Sequence, residues 1–393
     1  MKRILLITHD ASRTGAPMVV LHFARWLRAH RPEVGVDVLA VKGGALAAEF
    51  REVSDTYREL VMPPLPQFGL VRRAVNKAMR MAGLVRIPSA SEWKEELLRI
   101  LSTQGYDVIH ANSLASIPVG IRIKELAGGK PLLVAHIHEL STVINQVLPG
   151  LRDHIPNVDR FLAASEMVRD ELVRYWGIPA DRTEVQYEFA EVTRGATEPG
   201  ESNGSPVFTV GGSGTVVMRK GWDLFIQVAQ WVHAHDPQIP VRFVWAGRMV
   251  EHDRPMVERD IERAGLKDIV YFTGELSDPS AQYSTFDVFL LPSREDPFPL
   301  VCIEVGAMGK PIICFEGATG TAEVLRSGGG RIVPYLNVEA MGQAVVDYAR
   351  DAARRKADGD LNRTQFAKFG PDQQCPLMLQ RIEEALKRKA SHA

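Results

Sequence analysis

Short runs of aliphatic and β-branched residues recur along this chain, each bounded by polar or turn-forming residues and several followed by amphipathic stretches. Runs of this length separated by helical periodicity predict parallel βα units. In the first half the predicted strands are Arg3–Thr8, Val36–Val41, Asp107–Ala111, Leu132–Ile137 and Arg160–Ala164. Ser165 is suited to N-cap a helix over Glu166–Trp176, with Gly177 where a left-handed residue ends it. The rhythm restarts with strands Val207–Val210, Val241–Ala246, Ile269–Thr273, Asp287–Leu291 and Pro311–Phe315, and a helix over Asp223–His235. From Gln374 to Lys389, Leu377, Leu379, Ile382 and Leu386 fall near helical spacing and predict a last helix packed on the body.

Between the two halves, Val192–Pro206 is rich in Gly, Ser, Thr, Glu and Pro and can bury little. It reads as a linker. At 393 residues the chain exceeds what one core comfortably serves. The expected organisation is a domain over 1–191, the linker, a second domain over 207–370 and the final helix over 371–393. One stretch departs from the pattern: Pro63–Pro88 carries Arg72, Arg73, Lys77, Arg80 and Arg86 without an acidic residue, opposite an apolar face of Val71, Val75, Met79 and Ala82. It suits a solvated surface helix, a basic amphipathic element that meets an anionic membrane or a phosphate-bearing acceptor, or a disordered segment.

Composition narrows the class. A formal net charge of -1 gives no basic excess for nucleic-acid binding. Cys302, Cys314 and Cys375 are too few and scattered for a disulfide framework or a zinc site, which fits a reducing cytoplasm. The apolar run at the N-terminus is too short for a secretion signal, and no stretch is long enough for a membrane span, so the expected location is cytoplasmic or peripheral at the inner membrane face.

The run Leu290–Phe315 holds the most chemistry. It reads as a strand ending near Pro292, a polar loop, a helix opening at Pro299 or Leu300, then another strand. A loop on the carboxyl edge of a parallel sheet, leading into a helix N-terminus, is where α/β proteins bind phosphorylated ligands. The N–H groups of Leu300 and Val301 would face a diphosphate, while Asp296 and Glu304 would offer carboxylates to sugar or ribose hydroxyls. A second loop, Gly211–Gly221, is glycine-rich and ends in Arg219 and Lys220, cations able to neutralise a phosphate. In the first half, Gly15 and Ala16 stand just before a helix starting near Met18, a further place for a phosphate or sugar oxygen. Their spacing is not that of a dinucleotide-binding dehydrogenase. His138 lies at the end of Leu132–Ile137, with His136 on the same face by alternation and Glu139 adjacent. No further His or Cys at a supporting spacing suggests a metal site there.

The run SREDPFPLVCIEVGAMGKPII resembles the acidic signature of the family 4 glycosyltransferases, retaining enzymes of the GT-B fold. The resemblance implies an α/β protein of two facing Rossmann-like domains with a cleft between them. It places Asp296 and Glu304 at the positions of two glutamates, Asp296 on the donor sugar and Glu304 on the ribose. The Asp for Glu, and Pro297 for the usual Gly, depart from the pattern. Lys220 and Gly221 match the family's cationic loop, where Thr215 replaces the usual Arg and Arg219 would supply the charge. His138 matches the active-site histidine that binds a donor-sugar hydroxyl. The nucleotide would also meet Gly214, Gly247, Arg248, Thr273 and Gly274. The sugar or acceptor would meet Asn112, His136, Glu295, Pro297 and Phe298. The implied activity is hexosyl transfer, with retention, from a nucleotide-diphosphate sugar, UDP- or GDP-linked, to a glycan or lipid-linked acceptor in polysaccharide or glycolipid synthesis, without a cofactor. A sugar-nucleotide epimerase of the same fold and a non-catalytic nucleotide-sugar-binding module are the alternatives.

Overall fold

A computed structural model of the chain describes residues 1–62, 89–191 and 207–391. The basic stretch Pro63–Pro88 and the linker Val192–Pro206 lie outside these residues. The first sheet has seven strands in the order β3-β2-β1-β4-β5-β6-β7. They are β1 (Arg3–Thr8), β2 (Gly35–Ala40), β3 (Thr56–Glu59), β4 (Val108–Asn112), β5 (Leu132–Ile137), β6 (Arg160–Ala163) and β7 (Thr183–Val185). The second sheet has six, in the order β10-β9-β8-β11-β12-β13. These are β8 (Phe208–Ser213), β9 (Val241–Ala246), β10 (Val270–Gly274), β11 (Val288–Leu291), β12 (Ile312–Phe315) and β13 (Gly330–Val333). The strand pairs are parallel, and β1, β2, β5 and β11 are apolar through nearly their whole length, as strands covered on both faces must be.

The predicted strands all form, within two residues at their starts and three at their ends. Helix Glu166–Arg174 is capped by Ser165, whose hydroxyl accepts from the Val168 N–H at 3.3 Å. Gly177 is left-handed at φ 73°. The last helix runs over Pro371–Ser391, three residues earlier than its apolar spacing predicts.

Two compact units divide the chain. One comprises Met1–His136, Asp153–Arg160 and Ile382–Ala393; the other comprises Ile137–Arg152 and Phe161–Arg381. The division differs from the linear boundaries read from sequence: His138 and the end of the first half group with the second unit, and the end of the last helix with the first. In the first unit, Lys389 near the chain end donates to the Pro131 carbonyl at 2.8 Å and pairs with Asp159 at 3.2 Å. In the second, Phe225 packs edge-on against Phe243 and Trp245, and Phe286 and Phe289 fill the opposite side of the sheet. Gly211 and Gly212 on β8 carry no side chains because the rings of Phe286 and Trp245 occupy that space.

Candidate active site

β8 and β11 are neighbours, so the loops that leave their carboxyl ends lie side by side although some 76 residues separate them in sequence. After β8, the Gly214 carbonyl accepts from the Trp245 indole N–H at 2.8 Å, and a 3-10 turn over Met218–Lys220 closes on Gly221. Gly221 is left-handed, at φ 73°, and sits where any Cβ would overlap the Pro292 carbonyl. Glycine is therefore required twice, for the backbone conformation and for the close approach.

The two loops are tied by hydrogen bonds from arginine side chains and from the main chain. Arg219 Nη1 donates to the Glu295 carbonyl at 2.6 Å, and the Arg294 N–H donates to the Arg219 carbonyl at 2.8 Å. Arg294 also grips Asp223 through both terminal nitrogens, at 2.9 and 2.8 Å, and donates to the Met218 carbonyl. A planar guanidinium suits such a fork better than an ammonium does. At the centre, Lys220 Nζ donates to Asp296 Oδ2 at 2.7 Å, and Ser293 Oγ donates to the same oxygen at 3.1 Å. Arg219 stands 3.8 Å from the other carboxylate oxygen. Asp296 is almost fully buried, and its N–H donates to the Ala318 carbonyl, so the loop is fixed from both sides. The residues expected to serve sugar and diphosphate separately, Asp296 and Lys220, are one ion pair here.

Helix Leu300–Ala307 follows directly, N-capped by Pro299, which has no side-chain acceptor. The first N–H groups of a helix, here those of Leu300 and Val301, have no partner within it. Glu304, one turn later, is half-buried; burial, with a smaller push from Asp278, raises its carboxyl to about 7. Nearby, Tyr283 OH and Ser213 Oγ share a hydrogen bond of 2.7 Å. Thr273 Oγ1 donates to the Gly274 carbonyl at 3.1 Å, Gly274 is left-handed, and its carbonyl accepts from the Gly247 N–H. Arg248 and Thr273 are exposed, and Thr215 is half-buried on the β8 loop. Pro297 and Phe298 are not surface residues. Phe298 packs between Tyr187 and Phe369, with ring centroids 5.1 and 4.9 Å away, and the Pro297 carbonyl accepts from the Gly320 N–H. Glu295 is half-buried and lends its carbonyl to Arg219.

His138 lies just past β5, with its ring Nδ1 3.1 Å from Glu188 Oε1. Its N–H donates to Glu139 Oε2 at 2.8 Å. Glu188, three residues beyond β7, was not singled out from sequence. It is nearly inaccessible, and burial pushes its carboxyl up to about 8, with Asp296 raising it further and Lys220 opposing. The signal available was YEFA: a carboxylate between Tyr187, Phe189 and Ala190, residues that belong in a core.

The other expected residues belong to the first unit. Gly15 opens helix Gly15–His30, with Thr14 as N-cap and no side-chain cap bond, and Gly15 and Ala16 are half-exposed. Asn112 is fully buried and its amide donates to the Ala16 carbonyl at 2.8 Å, so it braces the helix entrance. His136 is likewise fully buried, with its ring centroid 5.7 Å from that of His110 in the core. Among the described residues no cluster of His, Cys, Asp and Glu is arranged to hold a metal ion.

Two parallel α/β sheets with paired loops of this kind on their carboxyl edges define a Rossmann-like enzyme of the GT-B glycosyltransferase class. HepE of Anabaena, solved in complex with UDP and glucose, has the same fold, with a TM-score of 0.76 at 17% identity, covering 98% of this chain and all of that one. Residues 13–194 match the description "Glycosyltransferase Family 4", and residues 206–351 match "Glycosyl transferases group 1". The chain belongs to the family 4, group 1 glycosyltransferases. It is 25% identical over 316 residues to a D-inositol 3-phosphate glycosyltransferase of Paenarthrobacter aurescens, across 74% of this chain and 77% of that protein. It is 26% identical over 158 residues to the lipopolysaccharide core mannosyltransferase LpcC of Rhizobium leguminosarum bv. viciae, across 38% of this chain and 43% of that protein.

Proposed function

We propose that the chain moves a hexose, with retention of configuration, from a nucleotide-diphosphate sugar to a hydroxyl of a glycan or lipid-linked acceptor. The observation that carries this reading is the pair of cross-tied loops, which bring Arg219 and Lys220 to the loop preceding the helix N-terminus at Leu300. Cations and unpaired N–H groups directed at one place balance a diphosphate and stabilise it as a leaving group. Glu304 takes the ribose hydroxyls and Asp296, steadied by Lys220 and Ser293, those of the sugar.

Retention is proposed from the resemblance to the retaining family 4 glycosyltransferases, without a covalent intermediate on the protein. Asp296 is paired with Lys220, and Glu188 with His138, so neither is offered as a detached nucleophile. The leaving phosphate oxygen then takes the acceptor's proton on the same face, and positioning supplies the catalysis. UDP is the first nucleotide to try, because HepE was solved with it. The lipopolysaccharide-core relative favours an acceptor in polysaccharide or glycolipid synthesis. Among the described residues no helix is long and apolar enough to cross a membrane. The basic run over 63–88 is proposed to meet an anionic membrane, and neutralising Arg72, Arg73, Lys77, Arg80 and Arg86 should abolish sedimentation with anionic vesicles.

The test is a thermal-shift screen with UDP, GDP, dTDP and ADP and their common sugars, repeated with Glu304→Ala. A ligand that binds only the folded chain raises its melting temperature. One nucleotide sugar should stabilise the wild type and lose its effect in the variant; no response to any of them overturns the donor site. Product analysis by NMR then reads the anomeric configuration. Conversion of the donor without an acceptor would instead indicate an epimerase, and binding without turnover a non-catalytic module.

A further inference from the structure

We propose that Glu188 is a positioning residue that keeps a hydrogen on Nε2 of His138, so that this imidazole donates to a hydroxyl of the bound sugar. The proposal rests on the glycosyl-transfer reading above. Both residues sit past the carboxyl ends of strands, His138 after β5 and Glu188 after β7, and their contact is 3.1 Å from Nδ1 to Oε1. The side chains are only 5% and 7% exposed, so water cannot replace either partner.

The tautomer follows from counting protons. A carboxyl buried beside Asp296 does not ionise cheaply, and Lys220, already paired with Asp296, offsets little of that. Near neutral pH the pair therefore holds two protons. Either Glu188 is neutral and donates to Nδ1, which leaves the ring hydrogen on Nε2, or the proton has moved to Nδ1 and both ring nitrogens carry hydrogen. In both arrangements Nε2–H is a donor. Once the pair loses a proton, Glu188 is a carboxylate that accepts from Nδ1–H, and Nε2 becomes an acceptor. The charged and titratable groups facing the pair include Asp296 and Lys220 beside Glu188, Arg219 beyond Asp296, and Glu139 on the His138 main chain. Glu188 is the member whose ionisation makes the switch, and its carboxyl is pushed up to about 8.

The experiment is nitrogen NMR of the His138 ring in the ligand-free chain across neutral to alkaline pH, with kcat and KM for the donor measured over the same range. In the wild type, Nε2 should remain protonated at neutral pH and lose its hydrogen with a midpoint near 8, where kcat falls too. Glu188→Gln should erase that midpoint from both profiles. Glu188→Ala, which removes the donor to Nδ1 and leaves the tautomer unfixed, should lower kcat at neutral pH on the order of tenfold, less than the ~100-fold that deleting a positioned donor outright costs, with KM little changed. An unprotonated Nε2 at neutral pH in the wild type, or identical profiles in the wild type and Glu188→Gln, overturns the proposal. The NMR titration of the wild type decides the tautomer even if the variant does not fold. If the titrations behave as expected but no nucleotide sugar is turned over, the pairing stands and the transfer reading fails.

Discussion

Replacing Gly221 by alanine tests whether the two loops of the site are pressed together as the strands dictate. Gly221 ends the Met218–Lys220 turn at φ 73° and ψ 31° and opens helix Trp222–His235. A left-handed backbone costs an L-residue about 1–2 kcal/mol. Here the new methyl also overlaps the Pro292 carbonyl, and overpacking of that kind typically adds about 1–3 kcal/mol. Gly265 supplies the control: it has φ 72° in the same unit, but a Cβ there meets nothing within 4 Å. Gly265→Ala should therefore lose only the backbone cost, about 1–2 kcal/mol, against roughly 2–5 kcal/mol for Gly221→Ala. Urea denaturation followed by tryptophan fluorescence reads both, since Trp222 and Trp245 are buried in this unit. Relief of the overlap moves the turn away from Pro292 and stretches the Lys220–Asp296 bond, so nucleotide affinity should fall in Gly221→Ala alone. Equal destabilisation of the two variants, or unchanged affinity in Gly221→Ala, would refute the reasoning.

Further outcomes follow from the same geometry. Asp296→Asn leaves Lys220 without its anionic partner in a largely buried place and should cost about 3 kcal/mol in a urea titration; combined with Lys220→Met, the two losses should be less than additive. Glu304 has a carboxyl raised to about 7, and ribose hydroxyls favour its ionised form, so nucleotide binding should release a proton near neutral pH and tighten as pH rises through that value. Calorimetry in buffers of different ionisation enthalpy measures the release; its persistence in Glu304→Gln, or affinity that weakens with rising pH, contradicts the assignment. Ser165→Ala removes the cap on helix Glu166–Arg174 and should lower stability by ~1 kcal/mol without affecting nucleotide affinity.

The interior strands were legible because burial on both faces leaves an uninterrupted apolar run, as in RILLIT, LLVAHI and VFLL. β3, β7 and β13 were missed. Each is the outermost strand of its sheet, and TYRE, TEV and GRIV are short and only partly covered. Single side chains of the site could be read by type: a cation after a glycine loop, an acid before a helix. Their mutual bonds could not. That Lys220 meets Asp296 depends on β8 lying beside β11, a long-range pairing that no local pattern encodes. His136 shows the converse limit, since alternation gives its face of the strand but not the His110 ring that fills the space there. Phe298 was expected to meet the sugar or acceptor and is a core ring because Tyr187 and Phe369 arrive from distant segments.

The hydrogen bonds that Arg219 and Arg294 make across the two loops bear on how such an enzyme can be redesigned. Each loop's arginine holds the other loop's main chain, so the shape of one is written partly in the sequence of the other. A transplant of Gly214–Gly221 or of Pro292–Pro299 alone would bring in a segment whose stays are missing. Donor preference should thus move between relatives only when both segments travel as one cassette, and single-loop chimaeras should lose activity before they gain a new sugar.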